Sequence, residues 1–422
     1  MSQPHILVID EELPWPLNSG KRLRSYHLIT NLVGRFRVTW LAHRNPIAAE
    51  IEPARQHFAR LGIDAHSLNY APPEKSGLGF YGNILRNLFF SRLPYSVASH
   101  SSTEMQRAIA TICATDPPAL IHCEWSAYAQ NLRGVSVPFV VDAHNVELLI
   151  WQRLAAMERS RIKQKIFQLQ AQRYATFERW AYRTAASTVA VSSADAQIIE
   201  QVLKCPLPVV IDNGVDTTSI PFQMPVDVKS PSLLFVGGLD WRPNQDAVVY
   251  FVVSVWPILR KLLPDITLRI VGRHPPDWLC RKIPPHVGID LVGTVPDLNP
   301  YYRNATLMVV PLRIGGGSRL KILEAMAYGV PVVTSDIGAE GLQVSEHLCT
   351  QVPTLGGQLC PRAFAEAIVG AVNNPAKLQS QAIAGRQLVE TRYDWRQLSA
   401  GLGDIWDDVI ANGRKNFSKP LK

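Results

Sequence analysis

The segment TLMVVPLRIGGGSRLKILEAMAYGVPVVTSDIGAEGL, residues 306–342, passes from an apolar run through three glycines into a stretch of helical period and a second apolar run. That order predicts strand, glycine loop, helix and strand, one unit of a parallel α/β sheet. Pro311 closes the first strand, Gly315, Gly316 and Gly317 allow a tight turn and close approach to a ligand, and Ser318 suits the N-cap of a helix that Gly329 stops. A glycine loop feeding a helix N-terminus is an anion site, because free N–H groups and the positive end of the helix dipole point the same way. Arg313, Arg319 and Lys321 add formal charge beside it, so a diphosphate fits. Glu324, among Leu320, Ile322, Leu323, Ala325, Met326 and Ala327, needs a polar partner. Two readings stay open: the paired hydroxyls of a ribose, or an ordinary Lys321 to Glu324 helix pair at i, i+3. A P-loop starting at Gly315 needs glycine at 320, where Leu320 stands, and Ser or Thr at 322, where Ile322 stands. The dinucleotide fingerprint fails at the same place, and EELPWPLNSG (11–20) after the first strand holds a single glycine.

Outward from this unit, short β-branched runs alternate with longer helical segments. Strands are predicted at 5–9, 36–41, 119–123, 138–142, 187–192 and 208–212, and again at 233–237, 266–271, 289–292, 306–310 and 331–334. The polar stretch 212–232, punctuated by Pro221, Pro225 and Pro231, reads as a linker between two parallel-sheet domains with a ligand cleft between them. With 422 residues, 47% hydrophobic and 18% charged, the chain is long enough for two such cores and is neither disordered nor fibrous. No run reaches the roughly 18 to 20 apolar residues of a membrane span, and Met1–Asp10 lacks a basic head, so a cytoplasmic protein is expected. Six cysteines without a CxxC pair give neither a zinc site nor a disulfide framework. The net charge of +8 is concentrated in two places: eight Lys/Arg against two acids between Ile150 and Thr184, and Arg414, Lys415, Lys419 and Lys422 in the tail. Nucleic acid is therefore not an expected partner.

The chain resembles the retaining glycosyltransferases of family 4, which have the GT-B fold. The resemblance rests on SRLKILEAMAYGVPVVTSDIGAEGL (318–342), VVIDNGVD (209–216), LLFVGGLDWRPNQDAV (233–248), LRIVGRHP (268–275) and LVGTVPDLNPYY (291–302). It implies an α/β protein of two Rossmann-like parallel-sheet domains facing across a cleft. An acceptor-side domain spans 1–216, a nucleotide-sugar domain 217–394, a helix returning to the first domain 395–412, and a basic tail 413–422. It implies a nucleotide-diphosphate sugar as donor, a saccharide or lipid-linked saccharide as acceptor, no metal and no cofactor, in bacterial polysaccharide or glycolipid assembly. Glu324 matches the second glutamate of the family's E-x7-E motif, which holds the donor ribose; the first falls on Gly316, so backbone N–H groups must replace it. The family's G-R-L…K clamp is altered to Gly237, Gly238, Leu239, Asp240, Trp241 and Arg242, leaving Gly238 on the donor and Lys321 or Arg242 to neutralise the diphosphate, with Lys321 ranked first.

In PWPLNSGKRLRSYHL (14–28), Gly20 either lies against the donor phosphates, as the resemblance implies, or is a plain strand-to-helix turn; Lys21, Arg22 and Arg24 follow it. DAHNVE (142–147) ends a strand, and the resemblance implies that His144 touches the donor sugar and the leaving diphosphate. The stretch Trp151–Tyr182 reads as one basic amphipathic helix, either a solvated surface element or, with LRNLFFSRLPY (85–95), an attachment to an anionic membrane. A nucleotide-sugar epimerase, a nicotinamide-dependent oxidoreductase and a non-enzymatic protein acting through its basic patches are the competing classes.

Overall fold

Strands buried on both faces read as unbroken apolar runs, and HILVID forms such a strand, β1 (His5–Asp10), buried at every position. The computed structural model describes residues 3–44, 47–68, 77–158, 160–224, 230–283, 288–314, 320–342, 344–355 and 358–416. The chain divides into two compact units, Met1–Asp212 with Arg396–Lys422, and Asn213–Trp395.

In the first unit, β2 (Arg37–Ala42), β3 (Asp64–Ser67), β4 (Leu120–Glu124), β5 (Phe139–Ala143), β6 (Ser187–Ala190) and β7 (Val209–Val210) join β1 in a parallel sheet ordered β3-β2-β1-β4-β5-β6-β7. Its helices include α1 (Gly20–Thr30), α2 (Gly77–Phe90), α3 (Glu147–Met157) and α4 (Arg161–Thr184). The C-terminal helix Trp395–Asn416 contributes from Arg396 onward, with Leu402 and Trp406 fully buried. In the second unit, β8 (Ser232–Val236), β9 (Thr267–Val271), β10 (Ile289–Gly293), β11 (Leu307–Val310), β12 (Val332–Ser335) and β13 (Thr350–Val352) form a parallel sheet ordered β10-β9-β8-β11-β12-β13. Around it lie α5 (Arg242–Tyr250), α6 (Leu320–Tyr328) and α7 (Pro375–Arg392). Both sheets have the Rossmann-like order, and in each the chain reverses direction of growth once, at β1/β4 and at β8/β11. Crevices for ligands open at the carboxyl ends of strands at such switch points.

Two readings of the sequence are corrected here. The stretch 151–182 is not one helix: α3 ends at Met157 and α4 starts at Arg161. A long-range cap holds the two helices together. The Glu178 carboxylate, on α4, accepts from the backbone N–H groups of Glu147 (2.9 Å) and Leu148 (3.1 Å) at the start of α3. The two helices thus fold against each other, and Trp151 faces Phe167 and Tyr174 at 5.7 and 6.3 Å between ring centroids. The described part of the presumed linker, 213–224, is also not free. Val215 N donates to Tyr393 O at 2.8 Å, and the Arg386 guanidinium donates to the carbonyls of Thr217 (2.8 Å), Ile220 (2.9 Å) and Ala327 (2.7 Å). The strands β3 and β13, absent from the sequence reading, are short, and DAHS lacks an apolar run.

Gly329 does stop α6, with φ +80°, and a Cβ there would lie 2.2 Å from the Gln223 carbonyl. Gly329→Ala is therefore expected to destabilise the chain by about 1–3 kcal/mol, through both left-handed strain and the clash. Urea unfolding with an unchanged midpoint in that variant would contradict this.

Candidate functional site

In the second unit the carboxyl end of β8 runs into Gly237, Gly238 and Leu239, and then α5 begins. Lys321, in the first turn of α6, brings its ammonium to this strand end. Its Nζ donates to Asn244 Oδ1 at 2.7 Å and lies 4.9 Å from the centre of the Phe235 ring. Asn244, near the start of α5, is itself held by donation from Nδ2 to Gly238 O at 2.9 Å. Glycine at 237 leaves room for this pair, because a Cβ there would stand 2.8 Å from both Lys321 Nζ and Asn244 Nδ2 and would push them aside. Gly272, at the end of β9, is held more tightly, since its Cβ would meet the backbone oxygen of Gly237 at 1.9 Å.

Glu324 lies one turn further along α6. Tyr302 donates its hydroxyl to Glu324 Oε2 at 3.0 Å, and the Tyr302 ring stacks on Tyr328 at 4.4 Å. Burial raises the Glu324 pKa, against the opposing pull of the Tyr302 hydrogen bond and the Lys321 charge. The lysine three residues before Glu324 donates to Asn244 and acts on the Glu324 carboxyl through its charge.

Other expected residues are placed differently. Arg313 grips Asp246 of α5 through Nε (3.0 Å) and a terminal nitrogen (2.5 Å) and covers the Tyr250 ring. Arg242 is the exposed first residue of α5; Asn244, two residues on, is the one that reaches Lys321. Gly238 has Asp240 and Arg273 around it. Gly315, Gly316, Gly317, Ser318 and Arg319 lie outside the described residues.

In the first unit, Gly20 opens α1 behind the N-cap Ser19, whose Oγ accepts from Arg22 N at 3.2 Å. The basic residues that follow each have an acidic partner. Lys21 pairs with Asp10 at 2.6 Å, Arg22 with Glu12 (2.5 Å) and Glu50 (2.9 Å), and Arg24 with both oxygens of Asp142 at 3.0 and 3.1 Å. Even so paired, Asp10 is pushed up to about 6, by burial first, with Lys21 opposing.

His144 follows β5 and its Nε2 lies 2.5 Å from Glu124 Oε2. Burial lowers the His144 pKa, but the Glu124 carboxylate more than compensates, and the net direction is upward. Glu124 is held in the opposite sense by His144 and His122 against its burial. Trp125, next along the chain, has φ 73° and ψ 128°, an unusual backbone for a bulky residue, and its indole N–H donates to Glu147 Oε1 at 3.0 Å. Burial lifts Glu147 to about 7, against the pull of Trp125 and His144. His122, Glu124 and Asp142 are close enough to share an ion. Their ligand atoms are already engaged, Asp142 by Arg24 and Glu124 by Ser25, His122 and His144, so this donor set does not fit a metal.

Sequence reasoning missed Asn244, Tyr302, Glu124 and Trp125. Asn244 and Tyr302 stood inside the motifs RPNQD and LNPYY, and Glu124 shares a strand face with His122 two residues earlier.

Residues 24–219 match the model of Glycosyltransferase Family 4, and residues 230–374 match that of Glycosyl transferases group 1. Among curated relatives, a glycogen synthase of Mycobacterium tuberculosis is 28% identical over 207 residues, 47% of this chain and 47% of its own length. A phosphatidyl-myo-inositol mannosyltransferase of the same organism is 28% identical over 217 residues, 49% of this chain and 55% of its own. The chain thus spans about half the length of the curated relatives it matches. Solved structures share the fold over nearly the whole chain. The sucrose-phosphate synthase of Thermosynechococcus elongatus has a TM-score of 0.68 at 19% identity, covering 97% of this chain and 100% of that one. Anabaena HepE, solved with UDP and glucose, has 0.65 at 14%, covering 96% and 100%. WaaG, a glycosyltransferase involved in lipopolysaccharide biosynthesis, has 0.63 at 13%, covering 95% and 99%.

Removing Arg24 would strand the fully buried Asp142 carboxylate. Arg24→Met is expected to cost about 3–5 kcal/mol in unfolding free energy, and Arg24→Met/Asp142→Leu to recover much of it. A double variant no more stable than the single one would contradict this.

Proposed function

The chain belongs to the family 4 glycosyltransferases, and we propose that it moves a glycosyl group from a nucleotide-diphosphate sugar to an acceptor hydroxyl with retention at the anomeric carbon. The observation that carries this reading is the Lys321 ammonium at the β8 carboxyl end, held by Asn244 and set one turn before Glu324. An ammonium on a pre-built perch stabilises a departing diphosphate more than it stabilises the intact donor, because negative charge grows there as the glycosidic bond breaks. Glu324 keeps Oε1 for the ribose while Tyr302 occupies Oε2. The glycine loop 315–317 with Ser318 and Arg319 supplies N–H groups and charge to the phosphates. His144 donates a hydrogen bond to the donor sugar and leaving group, and Arg242 assists Lys321. The UDP found in the Anabaena relative supports a nucleotide-linked donor. The reaction needs no metal in this scheme, and the acceptor is a saccharide or lipid-linked saccharide in cell-surface polysaccharide or glycolipid assembly.

Attachment to the inner face of an anionic membrane belongs to the same proposal, at a smaller surface than the sequence suggested. No described helix is long and apolar enough to cross a membrane. The α3 and α4 hairpin buries Tyr174 and Phe177, but Phe89 and Phe90 at the end of α2 are 72% and 87% exposed. Leu85 and the start of α4, Arg161, Ile162, Lys163 and Lys165, are exposed as well, and Arg173 of α4 ties the two helices together through the carbonyls of Asn87 and Leu88. Exposed aromatics beside lysine and arginine suit an anionic bilayer surface.

A thermal-shift panel of UDP, GDP, ADP and dTDP tests the donor reading. One nucleotide is expected to raise the melting temperature of the wild type and to lose that effect in Glu324→Ala; no shift from any of the four would contradict it. Lys321→Ala is expected to lower transfer by about 10²–10³-fold with the fold intact, the range of a lost transition-state donor. Near-normal turnover in that variant would contradict its role. For the membrane surface, Phe89→Ser/Phe90→Ser is expected to reduce co-sedimentation with phosphatidylglycerol vesicles several-fold, and equal binding by both proteins would rule the surface out.

A further inference from the structure

Beneath His144 lies a chain of polar groups that the proposed reaction does not use. Glu124 has no exposed surface. Its Oε2 accepts from Ser25 Oγ at 2.8 Å and meets His144 Nε2, and its Oε1 meets His122 Nε2 at 3.2 Å. On the far side of His122, the indole Nε1 of the buried Trp406 donates to His122 Nδ1 at 3.2 Å. Indole N–H can only donate, so His122 Nδ1 must keep its lone pair and its proton must sit on Nε2, donated to Glu124. His122 is therefore neutral, and its tautomer is imposed by a residue of the C-terminal helix.

A carboxylate buried this completely needs a counter-charge. The neighbouring buried acids each have one: Asp142 has Arg24 and Asp10 has Lys21. Glu124 is met by Ser25, by neutral His122 and by His144. Two hydrogen bonds from Ser25 and His122 favour the ionised carboxylate, so the shared proton belongs on the imidazole. His144 Nδ1 has no hydrogen-bond partner among the described residues, and the side chain keeps 10% exposure.

We propose that Glu124 is a positioning residue that holds His144 as an imidazolium, with Nε2–H spent on the carboxylate and Nδ1–H left for the departing anion, and that Trp406 secures this arrangement by denying the charge to His122. The proposal deepens the transfer reading and rests on it for the role of the free N–H. The groups facing His144 are Glu124, Asp142 and Glu147, which favour the cation, and Arg24, which opposes it. Because the His144 pKa is raised in the folded chain, its favourable contribution is present below the ordinary histidine value and is lost as pH rises through the folded one. Activity that depends on the imidazolium falls over the same upper range.

The test is a long-range ¹H–¹⁵N correlation spectrum of the full chain with ¹⁵N-labelled histidine, followed from pH 5 to 9. The wild type is expected to show His122 fixed as the Nε2–H tautomer and His144 doubly protonated at pH 7. Glu124→Gln is expected to move the His144 midpoint down by at least one pH unit, a tenfold change in proton affinity. Trp406→Phe, which keeps an aromatic ring, removes the indole N–H and leaves every charge in place, should release the His122 tautomer and also lower the His144 midpoint. A neutral His144 at pH 7 in the wild type, or a midpoint unmoved by both substitutions, would overturn the proposal. These readouts need no turnover, so they separate this proposal from the transfer reading, which the nucleotide panel tests independently.

Discussion

The Lys321 ammonium can stand at the end of β8 because residue 237 has no side chain. A Cβ at 237 would lie 2.8 Å from the ammonium and from the amide that holds it, so glycine there is needed for the charge to be where it is. The same crowding reaches β9, where Gly272 passes against the Gly237 carbonyl. The Asn244 bridge from Gly238 O to Lys321 then removes most of the freedom of a long side chain, whose ordering would otherwise cost about 1.5–2 kcal/mol when a ligand arrives. A charge fixed in advance stabilises a developing anion without reorganising during the reaction.

The first unit solves a different electrostatic problem. Strand ends at its switch point carry Asp10, Glu124 and Asp142, all without exposure, and burial of unpaired carboxylates at such a place would unfold the sheet. Lysine and arginine from α1 answer two of them, tying α1 to β1 and β5. Glu124 is the exception, answered through histidines, one of which, His144, keeps Nδ1 without a hydrogen-bond partner among the described residues. Buried ion pairs add little net stability over apolar packing, so their use here marks specificity of placement.

The parallel sheets were legible because buried strands such as HILVI and TLMVV are written as continuous apolar runs and the helices between them as 3.6-period segments. Lys321 and Glu324 could be found from the glycine loop and helix that carry them. What could not be read depended on partners remote in sequence. The contact that folds α3 against α4 depends on a glutamate 31 residues beyond the N–H it caps. The partner of Arg24 in the basic run after Gly20 could not be read because the acid that answers it stands 118 residues away. Asn244 and Tyr302 went unread for a chemical reason: an amide and a phenol announce no reaction until a lysine and a glutamate are seen against them.

In the proposed reaction a nucleotide's second phosphate rests on the Lys321 ammonium. Isothermal titration of UDP, GDP, ADP and dTDP, each against its monophosphate, measures this directly in the wild type and in Gly237→Ala, where the added methyl displaces the ammonium. A diphosphate preference of at least about tenfold, equivalent to about 1.4 kcal/mol, is expected in the wild type and disappears in the folded variant. The same preference in both proteins would contradict it.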